Sequence, residues 1–181
     1  MDPIVEEAVE RLEKCVESFK SRLTKLRTGR ANPALLSGVM CDYYGDKMEL
    51  SSLCSISMPE PRQLLVKPYS REDLKTVSQA IAAANIGINP QIEADCVRLI
   101  FPPMTEETRK ATAKEAKNMS EEAKVAIRNV RRDYLELIKE DDGMSDDYKE
   151  RLEDEIQKNV DSNNKKVEDI LAEKTKEILS I

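Results

Sequence analysis

Residues 104–140 read MTEETRKATAKEAKNMSEEAKVAIRNVRRDYLELIKE, without a single Pro or Gly. Small and apolar residues return along this stretch in alternating steps of four and three, a spacing typical of one face of a long helix. The predicted core-facing residues are Thr112, Ala116, Met119, Ala123, Ala126, Val130 and Leu137, with Asp133 as a polar interruption. At ~1.5 Å per residue, we expect a helix roughly 50 Å long.

Two other stretches carry apolar faces of the same kind. One follows Ser145, a residue suited to the N-cap, and the other spans residues 3–28 and is stopped by Gly29 and Pro33. Three long amphipathic helices bury their faces most simply as an antiparallel three-helix bundle. Asn163 falls among the core-facing positions of the last helix, and we interpret it as a polar residue that fixes helix register.

Between the first two helices the sequence changes to short, partly alternating apolar runs bounded by Gly or Pro, which predict strands. The predicted strands lie in residues 39–44, 53–58, 64–66 and 96–100, with one helix at 71–85. The predicted fold class is therefore α+β, with a bundle domain of residues 1–29 and 104–181 and an inserted β/α/β domain of residues 30–103. The two connections predict a hinge formed by Arg30, Ala31, Asn32 and Pro33 on entry and by Pro102, Pro103 and Met104 on exit.

Composition argues against an enzyme or a metalloprotein. The chain has no His, and its four Cys (Cys15, Cys41, Cys54 and Cys96) form no Cys-x-x-Cys pair, so we expect reduced, mostly buried thiols and no metal or cofactor. No Gly-rich phosphate-binding loop is present. The sequence also lacks a targeting leader and any run of ~20 apolar residues, which predicts a cytoplasmic protein without a membrane partner.

The net charge of −6 would disfavour a nucleic-acid partner if it were spread evenly. Residues 141–181, however, hold 13 Asp and Glu against 7 Lys and Arg, which leaves residues 1–140 without net charge. Within the second long helix, residues 110–132 contain seven basic and three acidic residues. A positive patch is therefore predicted inside an acidic protein.

The basic residues of this helix recur with the spacing of its core-facing residues, and we call them the basic row: Lys110, Lys114, Lys117, Lys124, Arg128 and Arg131, with Arg132 alongside. Such a row is predicted to run nearly opposite the core and can neutralise successive phosphates of RNA. A solvated helix face with weak ion pairs is the alternative, and it would suit a helical scaffold or chaperone. Arg128, Arg131 and Arg132 favour RNA, because crowded cations destabilise a helix unless an anion binds.

A second basic cluster is Arg27-Thr28-Gly29-Arg30. Its arginines suit contacts to phosphate, but Lys25, Arg27 and Arg30 around Gly29 equally fit a helix C-terminus that ends on a left-handed glycine. Both interpretations stay open. Tyr43-Tyr44-Gly45-Asp46 is interpreted as a strand ending in a turn.

Several motifs together resemble the ribosome recycling factor family. They are Arg27-Thr28-Gly29-Arg30-Ala31-Asn32-Pro33, Tyr43-Tyr44-Gly45, Gly87-Ile88-Asn89-Pro90, Pro102-Pro103-Met104-Thr105-Glu106-Glu107 and Val125 through Asp133. Each motif is short, but their order, their spacing and the chain length agree. The resemblance covers essentially the whole sequence.

The resemblance implies an L-shaped, tRNA-like monomer whose two domains meet at a flexible hinge. It further implies binding to the large ribosomal subunit and its rRNA, and splitting of post-termination ribosomes together with elongation factor G, which would itself hydrolyse the GTP. The motifs assign RNA contacts to Arg27, Arg30, Arg128, Arg131 and Arg132. Lys117 and Lys124 extend that set on spacing alone.

Overall fold

The computed structural model describes residues 2–180 and divides them into two compact units, each with a hydrophobic core of its own. The bundle unit contains the residues up to Leu26 and those from Arg109 onward, and the α/β unit contains Arg27–Thr108. In chain order the helices and strands are α1 (Pro3–Thr24), β1 (Met40–Tyr43), β2 (Asp46–Glu49), α2 (Leu50–Leu53), β3 (Cys54–Glu60), β4 (Gln63–Pro68), α3 (Leu74–Ala83), β5 (Gln91–Ile92), β6 (Val97–Ile100), α4 (Glu106–Glu140) and α5 (Asp146–Leu179).

Helix α1 begins with a well-formed cap. The Asp2 carboxylate accepts a hydrogen bond from the Ile4 backbone N–H at 2.9 Å, and Pro3 takes the first helical position, where no N–H is needed. The same carboxylate accepts from the Tyr148 hydroxyl of α5. Donation by Tyr148 and by the Ile4 N–H lowers the pKa of Asp2, so the cap stays charged and joins the starts of two helices.

The predicted end of α1 at residue 28 is wrong, because the helix ends at Thr24. Two hydrogen bonds that span three residues instead of four close its last turn. They run from the Lys25 and Leu26 N–H groups to the carbonyls of Arg22 and Leu23. Gly29 lies beyond this end and is therefore not the terminal glycine of the helix. Its left-handed φ of 77° serves the α/β unit instead, where a Cβ would come within 3.2 Å of the Met104 side chain.

Helix α4 was predicted with the right length but with part of its core face misplaced. Its buried residues are Thr112, Ala116, Ser120, Ala123, Ile127, Val130, Tyr134 and Ile138. Of the predicted set, Met119 and Ala126 are only half-buried and Leu137 is 52 % exposed. The strict heptad was the error: the buried face of this helix keeps closer to the ordinary α-helical period than a 3.5-residue repeat does.

Ion pairs fix how the three long helices run. Arg11 of α1 pairs with Asp133 of α4 at 3.4 Å, and Arg22 pairs with Glu122 at 2.8 Å, so α1 and α4 are antiparallel. Lys124 of α4 pairs with Glu168 of α5 at 3.1 Å, while Arg131 of α4 bonds Gln157, so α4 and α5 are antiparallel as well. Ser145 is the N-cap residue of α5, as predicted, although its side chain makes no capping bond.

Asn163 is 2 % exposed, but it does not fix helix register as interpreted from sequence. Its side-chain N–H₂ donates to the Asn159 carbonyl, one turn earlier in the same helix, at 2.8 Å. Its Oδ1 has no hydrogen-bond partner among the described residues. A bond that joins two helices is therefore not formed.

The α/β unit contains more strands than the sequence predicted. A β1–β2 hairpin precedes a four-stranded sheet of order β3-β4-β6-β5, in which every neighbouring pair is antiparallel. Strands β2 and β5 were missed because all their residues are exposed and give no apolar alternation. The predicted turn after β1 is confirmed, with Tyr44 and Gly45 at φ values of 48° and 88°, the geometry of a tight hairpin.

The cysteines are unpaired thiols within these cores. Cys41, Cys54 and Cys96 are buried, Cys15 is half-buried, and burial raises the pKa of Cys54 to about 12. A thiol with so high a pKa carries little thiolate and is unreactive near neutral pH. Within residues 2–180, no helix is long and apolar enough to cross a membrane and no cluster of acidic or sulfur side chains is arranged to hold a metal.

Candidate nucleic-acid interface

Part of the basic row lies on the flank of α4 that is beside α5. Lys124 and Arg131 are half-buried and contact α5 side chains, while Lys117, Arg128 and Arg132 are exposed. Lys110 and Lys114 are exposed as well. The other flank of α4 presents Glu122 and Asp133 to arginines of α1. The predicted position nearly opposite the core therefore fits the five exposed members of the row but not Lys124 and Arg131.

Arg131 is held in place by a short chain of hydrogen bonds. Its Nε–H donates to Gln157 Oε1 at 2.7 Å, and the Gln157 amide donates in turn to Asp161 Oδ1 at 2.8 Å. The bond to Gln157 uses only Nε. The two terminal amino groups therefore stay available for bidentate hydrogen bonds to a phosphate. The guanidinium is thus ordered before any anion arrives.

Two carboxylates already lie close to Lys124. Its Nζ lies 3.1 Å from Glu168 and 3.9 Å from Glu121, and the side chain is 28 % exposed. These two carboxylates reduce the positive potential that Lys124 offers to a phosphate. Lys117, one of the two lysines in the proposed RNA-binding set, has an exposed side chain with no ion pair among the described residues.

Arg128 and Arg132 complete the group of crowded arginines. Arg128 is exposed and forms no ion pair within the described part of the chain. Arg132 is 64 % exposed and touches Asp133 at 3.4 Å, a carboxylate that Arg11 shares at the same distance. Together with the amino groups of Arg131, they form a solvent-facing cationic surface on α4. We call Arg128, Arg131 and Arg132 the arginine cluster.

In the second basic cluster, Arg27 contacts the α/β unit whereas Arg30 faces solvent. The Arg27 guanidinium donates to the Gly87 carbonyl at 3.0 Å, so it braces a loop of the α/β unit. Gly87 is left-handed, with φ 76°, and a Cβ there would lie 3.0 Å from the Arg27 amino group. Arg30 is exposed and has no such contact among the described residues. Of the two, only Arg30 therefore presents an uncommitted charge.

Most of the predicted hinge residues have contacts within the α/β unit. The Ala31 N–H donates to the Pro61 carbonyl at 2.8 Å, and the Asn32 side chain caps Ala34 at 3.0 Å in the 3₁₀ turn that starts at Pro33. Met104 packs against Gly29. Pro102 and Pro103 are exposed.

Sequence reasoning missed the α5 residues that support the row. Gln157, Asp161 and Glu168 carry no motif of their own, and their role depends on which turn of α5 lies beside which turn of α4. The signal available was geometric: an antiparallel pairing across the short connection at Gly143 places the middle of α5 against the middle of α4. A charge count alone could not find them.

Comparison with known families decides the identity. The sequence model described as "Ribosome recycling factor" matches residues 19–179. A ribosome-recycling factor of Myxococcus xanthus is 41 % identical over 98 % of each chain, and one of Leuconostoc mesenteroides is 44 % identical over 96 % of each. This chain belongs to the ribosome recycling factor family.

Solved structures of the ribosome recycling factor family agree with the fold. A solution structure of a ribosome recycling factor superposes with a TM-score of 0.83 at 34 % identity, over 98 % of this chain and 96 % of the other. A second match has a TM-score of 0.65 at 36 % identity over 97 % of each chain. It is described as the Thermus thermophilus ribosome recycling factor and the Escherichia coli elongation factor G bound to the E. coli post-termination complex.

Most of the family motifs lie in the α/β unit. Arg27 meets Gly87 and Gly29 meets Met104, so three of the motifs converge in one part of the α/β unit. Tyr44-Gly45 forms the β1–β2 turn. These motifs therefore maintain the fold of this recycling factor family member, whereas the motif around Arg128 to Arg132 lies on the solvent-facing flank of α4.

Proposed function

We propose that this protein recycles ribosomes. It binds the large subunit of the post-termination ribosome through ribosomal RNA and, with elongation factor G and GTP, promotes separation into subunits. Family membership supports this proposal, as does the structural neighbour described in a complex with elongation factor G and the ribosome. The protein would act as a monomer in the cytoplasm.

The observation that carries the RNA-binding part is the arginine cluster. Three guanidinium groups lie within five residues of α4, and Gln157 already orders one of them at 2.7 Å. Ordered arginines lose less conformational entropy on binding a phosphate than free ones do. We assign the main phosphate contacts to Arg128, Arg131 and Arg132, with Lys117 and Arg30 as further contacts.

Two members of the proposed RNA-binding set are weighted lower. Lys124 is partly neutralised by Glu168 and Glu121, and Arg27 is committed to the Gly87 carbonyl. Both can still add to the local potential. Lys124 should contribute less to binding than Arg128 because carboxylates already offset its charge, and Arg27 should contribute less because its bond to Gly87 holds the guanidinium against a loop of the α/β unit.

We further propose that the connections between the units form a hinge. Ala31 is bonded to Pro61, and the Phe101 N–H donates to the Arg62 carbonyl at 2.8 Å, so these two positions are anchored in the α/β unit. Arg27 and Gly29 also contact the α/β unit, through Gly87 and Met104, so bending would fall at the ends of that unit, before Arg27 and after Thr108. Met104 would move with its contact at Gly29.

We also propose that the chain itself is not an enzyme and that GTP is hydrolysed by its partner. The sequence has no His and no Gly-rich phosphate loop. Recycling then depends on binding and on movement, not on covalent chemistry.

The decisive experiment is subunit splitting. Post-termination ribosomes are mixed with this protein, elongation factor G and GTP, and free subunits are measured by sedimentation. We expect splitting only when all components are present, and omission of any one should abolish it. Splitting that proceeds equally without this chain would refute the proposal and leave the helical scaffold as the better interpretation.

A further inference from the structure

A long groove runs between α1 and α5, away from the flank of α4 that carries the basic row. It consists of two adjoining clefts of about 420 and 320 Å³, which share Val16, Glu17 and Lys166. Val16 and Ile170 give it an apolar floor. Both helices belong to the bundle unit, so the groove is a feature of one compact body.

The rims of the groove are acidic. Five carboxylates border it against three lysines, and the Nζ of one of these, Lys14, is paired with Glu10 at 2.7 Å. Glu13, Glu17 and Glu173 form no ion pair among the described residues. Carboxylates left in this state repel RNA and attract cations, so the groove differs in chemistry from the arginine cluster.

Asn163 provides a second and independent observation. It lines the groove, is 2 % exposed, and its Oδ1 has no hydrogen-bond partner within residues 2–180. A buried carbonyl without a donor destabilises the free protein, because its hydrogen bonds to water are lost on folding and no hydrogen bond within the protein replaces them. Because Oδ1 itself is buried, the side chain must first turn towards the groove, and a donor from a bound partner would then remove that cost and give the partner a specific point of recognition.

We propose that this groove binds a basic, amphipathic segment of a partner protein. Its lysines and arginines pair with Glu13, Glu17 and Glu173, its apolar side chains lie on Val16 and Ile170, and one N–H donor bonds Asn163 Oδ1. The length and the apolar floor suit a peptide, whereas a single metal ion or an RNA backbone would use neither. This surface operates independently of the arginine cluster, so the inference does not depend on the proposed function.

The test uses the full chain, labelled with ¹⁵N, and a synthetic helical peptide of lysine and leucine with leucines every three to four residues. We expect amide shifts confined to the α1–α5 groove, including Val16 and Asn163. The double variant Glu13→Gln/Glu17→Gln should weaken binding roughly three- to thirtyfold, since two exposed ion pairs are lost. The matched control Glu136→Gln/Glu150→Gln, with the same charge change at exposed carboxylates elsewhere, should leave affinity nearly unchanged.

Asn163→Leu tests the carbonyl separately, and we expect it to weaken peptide binding without lowering the midpoint of thermal unfolding. Equal losses in the groove and control variants would show general attraction to an acidic protein and would overturn the proposal. Shifts of the groove residues caused by an RNA oligonucleotide would overturn it as well. So would shifts caused by concentrating the chain alone, which would assign the groove to a second copy of the protein.

Discussion

At the level of single residues, the positions of the basic side chains matter less than what holds them. Arg131 and Lys124 look alike in a charge pattern, yet one is ordered by the neutral amide of Gln157 and the other is partly neutralised by Glu168. An amide positions a guanidinium without cancelling its charge, whereas a carboxylate does both. Gln157 should therefore strengthen RNA binding without touching RNA.

Because Gln157 orders Arg131, we expect Gln157→Ala to weaken binding to large ribosomal subunits by about two- to tenfold, the effect of losing one ordering hydrogen bond. Arg131→Ala should weaken it at least as much, and neither change should unfold the bundle, because both residues lie outside the buried face of their helix. In the Arg131→Ala background, the added Gln157→Ala substitution should have no further effect. Equilibrium binding at fixed salt measures all of these affinities.

Gln79→Ala, on the exposed face of α3, is the matched control and should bind like the unmodified protein. If Arg131→Ala weakens binding while Gln157→Ala does not, Gln157 has no positioning role. If neither matters, the arginine cluster does not contact RNA, and the assignment of this surface is wrong.

The single-residue scale also shows what sequence reasoning can reach. The arginine cluster was found because its residues are adjacent in one helix and charged. The role of Gln157 and the contact between Gly87 and Arg27 were not predicted, because each depends on a contact between segments distant in sequence. Spacing within a segment is visible in a sequence, but the partner across a helix pair or a loop is not.

At the level of helices and strands, the sequence predicted the elements that bury one face and missed the strands whose residues are all exposed. The regular spacing of apolar residues identifies long amphipathic helices, so α4 and α5 were predicted within a few residues of their observed bounds. Strands β2 and β5 are exposed throughout and exist only because a neighbouring strand pairs with them. Their backbone hydrogen bonds leave no trace in side-chain pattern.

The misplaced core face of α4 allows a direct test. Ile127 is fully buried, whereas Leu137, a core residue in the heptad interpretation, is 52 % exposed. We expect Ile127→Ala to lower the free energy of unfolding by about 2–5 kcal/mol and Leu137→Ala to change it by less than about 0.5 kcal/mol. Urea denaturation followed by circular dichroism measures both values, and a larger loss for Leu137→Ala would restore the heptad interpretation.

For the whole molecule, the net charge of the chain and the local charge at the arginine cluster have opposite signs. The net charge of −6 opposes binding to any polyanion, yet it is concentrated in residues 141–181, and the flank of α4 beside α5 remains cationic. At physiological salt, fields are screened beyond ~8 Å, so a bound phosphate senses the arginine cluster and nearby α5 carboxylates such as Asp161 more than the carboxylates farther along the chain. The acidic remainder should instead suppress binding in wrong orientations.

The salt dependence of ribosome binding follows from this view. With three phosphate contacts, the dissociation constant should rise roughly 20- to 40-fold between ~50 and ~200 mM salt, despite the negative net charge. Arg128→Ala should remove about one contact and flatten the dependence accordingly, because Arg128 forms no ion pair among the described residues that could compensate. Lys158→Ala, an equal loss of charge at an exposed position of α5 off the basic row, should leave the slope unchanged. A flat profile for the unmodified protein, or equal flattening by both variants, would show that net charge rather than the arginine cluster governs the encounter.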